Sequence, residues 1–171
     1  VTVSHNHYDH LDISSLKKLS KKNPKTLFLV PKGDQKLLNR KGIKNTREFL
    51  WWENIEIKGT KFTFTPTQHW SARGLADRNK SLWGGWFMSF PNFKSFHAGD
   101  SGYSKDFQDT QAKLGKPDLS LIPIGAYAPR WFMKANHVNP EEALQVALDL
   151  GSEKNYAMHW GTFPLTDEET L

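Results

Sequence analysis

The chain has 171 residues, 37% hydrophobic and 24% charged, which suits one globular domain or part of one. With no cysteine, a disulfide scaffold and a thiolate-held zinc are excluded; no apolar run nears the roughly 18 residues of a membrane span, and 13% aromatic content argues for a packed core. A formal net charge of +5 leaves an anionic partner open, yet the densest basic group, Lys17, Lys18, Lys21 and Lys22, reads as the solvated face of a helix.

Val1 to Val3 reads as the end of a strand that runs straight into a histidine-rich loop. Leu11 to Lys22 carries Leu11, Leu16 and Leu19 at helical spacing and stops at Asn23-Pro24, because proline disfavours helix in the residue before it. Thr26 to Val30 is a short apolar run closed by Pro31-Lys32-Gly33, a buried strand, and Asp34 is placed to cap a short helix through Arg40. From Glu48 to Thr67 the period changes to two, with Lys58-Gly59-Thr60 as the turn of a hairpin. Leu82 to Phe90 and Ser95 to Ala98 form a second hairpin about Pro91-Asn92-Phe93-Lys94.

Ser104 to Leu114 reads as a helix ended by Gly115, and Leu119 to Ile124 as another apolar strand. Asn139-Pro140-Glu141-Glu142 supplies a cap, a proline at the first helical position and a glutamate at the third. Ala143, Val146, Ala147 and Leu150 then make an apolar face that Gly151 terminates. Asn155 to Met158 is a last strand, and Thr166-Asp-Glu-Glu repeats the capping pattern at the start of a final helix.

The strongest chemical signal is His5-Asn6-His7-Tyr8-Asp9-His10. In extended backbone, residues i and i+2 point the same way, so His5 and His7 can close on one metal ion. Asp9 and His10, at the turn into a helix, then address a second ion. Three further donors stand at ends of expected strands: His69, Asp100 and His159. Strand ends suit ligands because a rigid sheet gathers groups from remote sequence in one cleft, and Asp100, between Gly99 and Ser101-Gly102, has the backbone freedom of a bridging carboxylate.

These residues carry a family resemblance. Ser4–Asp12 (SHNHYDHLD), Ala98–Gly102 (AGDSG) and His159–Phe163 (HWGTF) resemble the metallo-β-lactamase superfamily. Thr67–Ser71 (TQHWS), Leu82–Trp86 (LWGGW), Ile122–Tyr127 (IPIGAY), Pro129–Met133 (PRWFM) and His137–Ala143 (HVNPEEA) narrow it to the N-acyl-phosphatidylethanolamine-hydrolysing phospholipase D family and its bacterial relatives. The resemblance implies an α/β (α+β) fold, an αββα sandwich, with residues 1–171 as the C-terminal part of one hydrolase domain whose N-terminal strands and final residues are missing. It assigns one metal to His5, His7 and His69, a second to Asp9, His10 and His159, and shares Asp100 between them.

Two divalent ions about 3.5 to 4 Å apart lower the pKa of a shared water and clamp the oxygens of the attacked centre. Imidazole and carboxylate suit zinc, the expected ion, and also accept iron or manganese. Asp9 is further expected to orient the nucleophile and take a proton; Asp12 is either a partner for a ligand imidazole or a helix-start charge. The resemblance favours His137 as a catalytic residue that stabilises an oxyanion or protonates a leaving group.

Tyr127, Arg130 and Trp131 are candidates for substrate binding, Arg130 and Arg73 as phosphate partners or plain surface ion pairs, and Trp131 to Met133 as lipid contacts. His97 and most tryptophans are expected to be structural. The expectation is thus a phosphodiesterase of phospholipase D type acting on N-acylphosphatidylethanolamine-like lipids, with a lactonase or a non-catalytic metal- or phosphate-binding module as alternatives. The partners implied are a lipid or small-molecule phosphodiester and a membrane surface touched peripherally, not nucleic acid, and the expected location is cytoplasmic rather than secreted.

Overall fold

The computed structural model describes residues 1–168, so the helix expected to follow Thr166 lies outside the described residues. Helix α1 is Ile13–Lys22; the Asp12 carboxylate caps it by accepting the amides of Ser14 at 3.2 Å and Ser15 at 2.8 Å, which decides that residue's role for the helix start. Strand β1, Phe28–Pro31, is joined by Val1 to Val3 through a parallel bridge between Thr2 and Leu29, with Leu29 N donating to Val1 O and Val3 N to Leu29 O.

Helix α2 is Gln35–Arg40, but Asp34 does not cap it: its buried carboxylate accepts from Asn6 Nδ2 at 3.0 Å instead. Strand β2, Thr46–Phe49, pairs parallel with β1. The expected hairpin from Glu48 is therefore corrected: Thr46 to Phe49 closes a β-α-β unit, because the ladder offered by β1 outweighs the local period.

The hairpin proper joins β3, Asn54–Ile57, to β4, Thr60–Thr65. Lys58 (φ 51°) and Gly59 (φ 77°) are both left-handed, the two-residue turn whose twist matches that of the flanking strands. Strands β5, Gly85–Phe90, and β6, Phe93–His97, meet across a tighter turn than expected, since Phe90 already pairs with Phe93. Helix α3, Asp106–Leu114, leads to β7, Leu119–Pro123. A short helix α4, Arg130–Met133, occupies what reads as loop. Helix α5 is Pro140–Leu150, with Asn139 Oδ1 accepting from Glu142 N at 3.0 Å, and β8 is Lys154–Met158.

Strands β3-β4-β5-β6-β7-β8 form one six-stranded sheet in that order, and β1-β2 a smaller one. Alternation along the strands sorts the apolar side chains into layers. Phe28 and Val30 of β1 pack with Leu16 and Leu38 of the helices on their side, whereas Leu29 faces inward with Phe49, Phe64 and Trp86 between the sheets. Phe87 and Phe96 face outward against Phe107 of α3 and Val146 and Leu150 of α5. The order is α1 and α2, small sheet, large sheet, α3 and α5: the expected αββα sandwich. Among the described residues no helix is long and apolar enough to cross a membrane.

Candidate metal centre

Loops of the two face-packed sheets meet at one rim, and the chemistry of the chain collects there. His5 leaves the Val1 to Val3 ladder; at His7 the chain turns, with His10 N and Leu11 N both donating to His7 O, and this carries Asp9 and His10 round to the other side. His69 follows an antiparallel bridge between Gln68 and Gly102, which ties it to the loop holding Asp100. Thr67 Oγ1 adds a 3.3 Å bond to the Asp100 carbonyl.

His159 follows β8 with φ 59°, a left-handed conformation that a non-glycine residue holds only when its surroundings enforce it. They do: its carbonyl oxygen lies where a Cβ on Gly125 would sit only 2.1 Å away, so residue 125 has no room for a side chain.

The donor atoms form two sets. In one, His7 Nδ1 stands 2.9 Å from His5 Nε2 and 3.3 Å from His69 Nε2. In the other, Asp9 Oδ2 stands 3.3 Å from His10 Nε2 and 3.4 Å from His159 Nε2. Asp100 Oδ2 joins them, 3.8 Å from His5 and His69, 3.0 Å from His10 and 3.4 Å from His159. Donors around one zinc-sized ion at bonds of about 2.1 Å lie about 3.4 Å apart in a tetrahedron, so both sets have the spacing of ligands to a single cation. Hydrogen bonding does not account for the cluster: His10 Nε2 and Asp100 Oδ1 are buried without an aligned partner. The residues present fit two divalent ions sharing one carboxylate.

Neighbours orient the rings. Ser4 Oγ meets Nδ1 of His5 at 3.0 Å and of His10 at 3.4 Å, and His69 Nδ1 donates to the Asn136 carbonyl at 2.9 Å, which leaves His69 Nε2 as the lone pair. Electrostatics divides the sets. Burial lowers His5, His7 and His69, the last to about 3, so these imidazoles are neutral at neutral pH. Burial alone would lower His10, but the Asp100 and Asp9 carboxylates push it up to about 10; His159 is raised against its burial by Asp9 and Asp100. Burial would likewise raise both carboxyls, yet His10 and His159 hold Asp9 and Asp100 far below the usual range, ionised.

A cavity of about 300 Å³ opens over Asp9, Asp100 and His159, walled by Trp70, Arg78, Phe132, Met133, His137 and Leu165 among others. His137 comes within ligand-atom reach of His69 and Asp100, its ring edge-on to His69 at 5.0 Å, and its Nδ1 is buried without a partner. Burial lowers it, so it is a neutral ring.

The structure separates the remaining candidates from the cavity. Arg130 spends its guanidinium on the His137 carbonyl at 2.7 Å and on Glu142 at 2.6 Å. Trp131 points to solvent at 84% exposure, and neither it nor Tyr127 lines the cavity, although Phe132 and Met133 beside them do. Arg73 contacts backbone instead of a phosphate site, donating from Nη1 to the carbonyls of Asn6 and Leu11. Sequence reasoning missed Arg78 and Trp70, whose stacking at 4.5 Å puts a cation on the cavity wall; the signal was a basic residue nine positions after His69, in a segment that returns past the metal ligands. His97 accepts the Gly99 amide at Nδ1, 3.1 Å, and so shapes the turn before Asp100. Trp86 and Trp83 are structural, donating to Val3 O at 2.8 Å and to Thr67 O at 2.9 Å.

Comparison with known proteins bears on the same residues. The family model described as beta-lactamase superfamily domain matches residues 1–160. The Saccharomyces cerevisiae protein named N-acyl-phosphatidylethanolamine-hydrolyzing phospholipase D, mitochondrial, is 42% identical over 178 residues, covering 100% of this chain and 38% of its own. The Caenorhabditis elegans protein named N-acyl-phosphatidylethanolamine-hydrolyzing phospholipase D 1 is 41% identical, covering 98% of this chain and 50% of its own. The chain thus spans half or less of the length of these curated relatives. Among solved structures, the metallo hydrolase Igni18 of Ignicoccus hospitalis superimposes with a TM-score of 0.78 at 22% identity over 99% of this chain and 66% of that one, which is a likeness of fold.

Proposed function

The chain belongs to the metallo-β-lactamase superfamily, and from that premise we propose that residues 1–171 carry the dinuclear centre of a metal-dependent hydrolase, a phosphodiesterase of phospholipase D type acting on N-acylphosphatidylethanolamine-like lipids. The observation that carries the proposal is the single oxygen, Asp100 Oδ2, shared between two sets of donors at 3.0 to 3.8 Å. His5, His7 and His69 would hold one ion, Asp9, His10 and His159 the other. When bound, two such ions supply Lewis acidity and an activated water. Zinc, iron and manganese all accept this donor set.

The chain's own residues would do the rest. Water attacks phosphorus, the bond to the leaving alcohol oxygen breaks, and a proton must leave the nucleophile while another reaches the alcohol. The carboxylate of Asp9, ionised and facing the cavity, is placed to take the first. His137, neutral by burial, is placed to give an N–H to the charge that builds on an oxygen. Arg78 on the cavity wall replaces Arg130 as the phosphate partner, and Phe132, Met133 and Leu165 offer the apolar wall an acyl chain needs. Trp131 and Phe132, 84% and 65% exposed beside the cavity, suit contact with a lipid surface.

The test measures metal content by elemental analysis together with turnover of N-acylphosphatidylethanolamine in vesicles, bis(p-nitrophenyl) phosphate and a panel of lactones, before and after chelation. About two ions per chain and chelator-sensitive release of N-acylethanolamine are expected. Turnover of lactones alone, or phosphodiester turnover indifferent to chelation, would refute the proposal.

A further inference from the structure

We infer that Arg73 is a positioning residue that sets the second metal ion's ligands, a role that rests on reading the centre as dinuclear. Residues 6–11 carry His7, Asp9 and His10, yet among the described residues the backbone bonds that fold this loop on itself are the two converging on His7 O. Arg73 supplies the frame from outside. Its Nη1 spends both protons on carbonyls at the two ends of the loop, Asn6 at 2.9 Å and Leu11 at 2.8 Å. The guanidinium lies 4.0 Å from the centre of the Tyr8 ring, and Tyr8 Oη donates back to the Arg73 carbonyl at 3.0 Å.

The clamp is itself anchored. Asp77 accepts the amides of Arg73 at 3.1 Å and Gly74 at 2.8 Å, and buried Ser71 Oγ donates to the Ser81 carbonyl at 2.5 Å. The span from Asn6 to Leu11 is therefore fixed by a planar group bound to a braced loop. His5 and His69 take their positions elsewhere, from the Val3 ladder with Ser4 and from the Gln68 bridge with the Asn136 carbonyl. Loosening the clamp moves Asp9 and His10 together, two of the three separate ligands of the second ion, whereas in the first set only His7 lies in the loop and His5 and His69 stay in place. Lysine cannot substitute, because an ammonium on a flexible stem lacks the planar group that stacks on Tyr8 while bridging two carbonyls.

The experiment titrates Zn²⁺ into metal-free wild-type, Arg73→Lys and Arg73→Gln chains against a chromophoric chelator and fits two sites, with circular dichroism matching the apo folds. The second ion is expected to bind about 10- to 100-fold more weakly in both variants, with the first within about threefold of wild type. A residue serving only the fold would weaken both ions together; that result, or two unaltered affinities, overturns the inference. Fewer than two ions on the wild-type chain would instead sink the dinuclear reading, and this inference with it.

Discussion

Asp34 offers a quantitative test of the scaffold behind the metal loop. Asp34 is 1% exposed, and its carboxylate holds the side chain of Asn6, the residue between His5 and His7, at 3.0 Å. Burial, opposed by the bond from Asn6, raises its pKa from 3.8 to about 6. With the folded value above the unfolded one, the folded state binds more protons between them, so stability falls as pH rises through that window. Each unit is worth about 1.4 kcal/mol, so the penalty is about 3 kcal/mol at about pH 7.5 and about 1 kcal/mol at about pH 4.5. Asp34→Asn keeps a carbonyl oxygen for Asn6 and cannot ionise. Urea unfolding of the metal-free chains at those two pH values should therefore show wild type losing about 2 kcal/mol more than the variant, a relative midpoint shift of about 1 M. Equal pH dependence in the two chains would refute the reasoning.

Asp100→Asn removes the charge shared by the two donor sets; breaking a buried charged contact costs about 3–5 kcal/mol, so competition titration should show the second ion weakened at least about 100-fold and turnover lost with it. His137→Gln should leave two ions by elemental analysis while kcat falls about 10²- to 10⁴-fold, and a lost ion would recast His137 as a ligand. Gly125→Ala drives a Cβ into the His159 carbonyl, so a loss of about 1–3 kcal/mol in urea unfolding and a weakened second ion are expected; unchanged values of both would refute the close approach. Calorimetry in buffers of different ionisation enthalpy should find more than one and up to about two protons released per second ion near pH 7, from His10 and His159, and close to none for the first, with affinity for the second falling as pH drops; equal release from both would refute the division of charge.

What was legible in the sequence was whatever short-range chemistry decides. The Asn139-Pro140 start and Gly151 stop of α5 stand where capping rules put them, because a cap is a bond between residues three apart. The convergence of His5, His7, Asp9 and His10 with His69, Asp100 and His159 followed from one dense motif plus donors at strand ends. Strand β2 was misjudged because its partner β1 is remote, and an apolar alternation cannot say which sheet it joins. Arg130 was open between a phosphate partner and an ion pair, and the structure gives it the ion pair with Glu142; Arg73, open in the same way, binds backbone. An arginine's five donors fit carbonyls as well as phosphates, and the carbonyls of Asn6 and Leu11 lie 67 and 62 positions from Arg73, beyond any local pattern. Trp131 sits beside the cavity in sequence, but it lies 84% exposed and off the lining, whereas Phe132, itself largely exposed, and Met133 reach the cavity rim.

The two donor sets differ in kind, and that difference orders how the centre would fill. The first is built from neutral, buried rings, and His5 and His69 hang from ladders and bridges of the sheets, so an ion meets lone pairs already exposed and fixed. The second is built on a turn braced by Arg73 and on a left-handed His159, with two carboxylates raising the proton affinity of both His10 and His159. An ion there must expel protons and settle a loop before it gains full coordination. Asp100 would couple the two sites: its Oδ2 lies near both His5 and His10, so a cation held by the first set would weaken the carboxylate's hold on the His10 proton. Sequential loading with a pH-sensitive second step is therefore what a dinuclear reading of these anchors predicts, and on the inference drawn for Arg73 a residue with no donor in either set would act through the second.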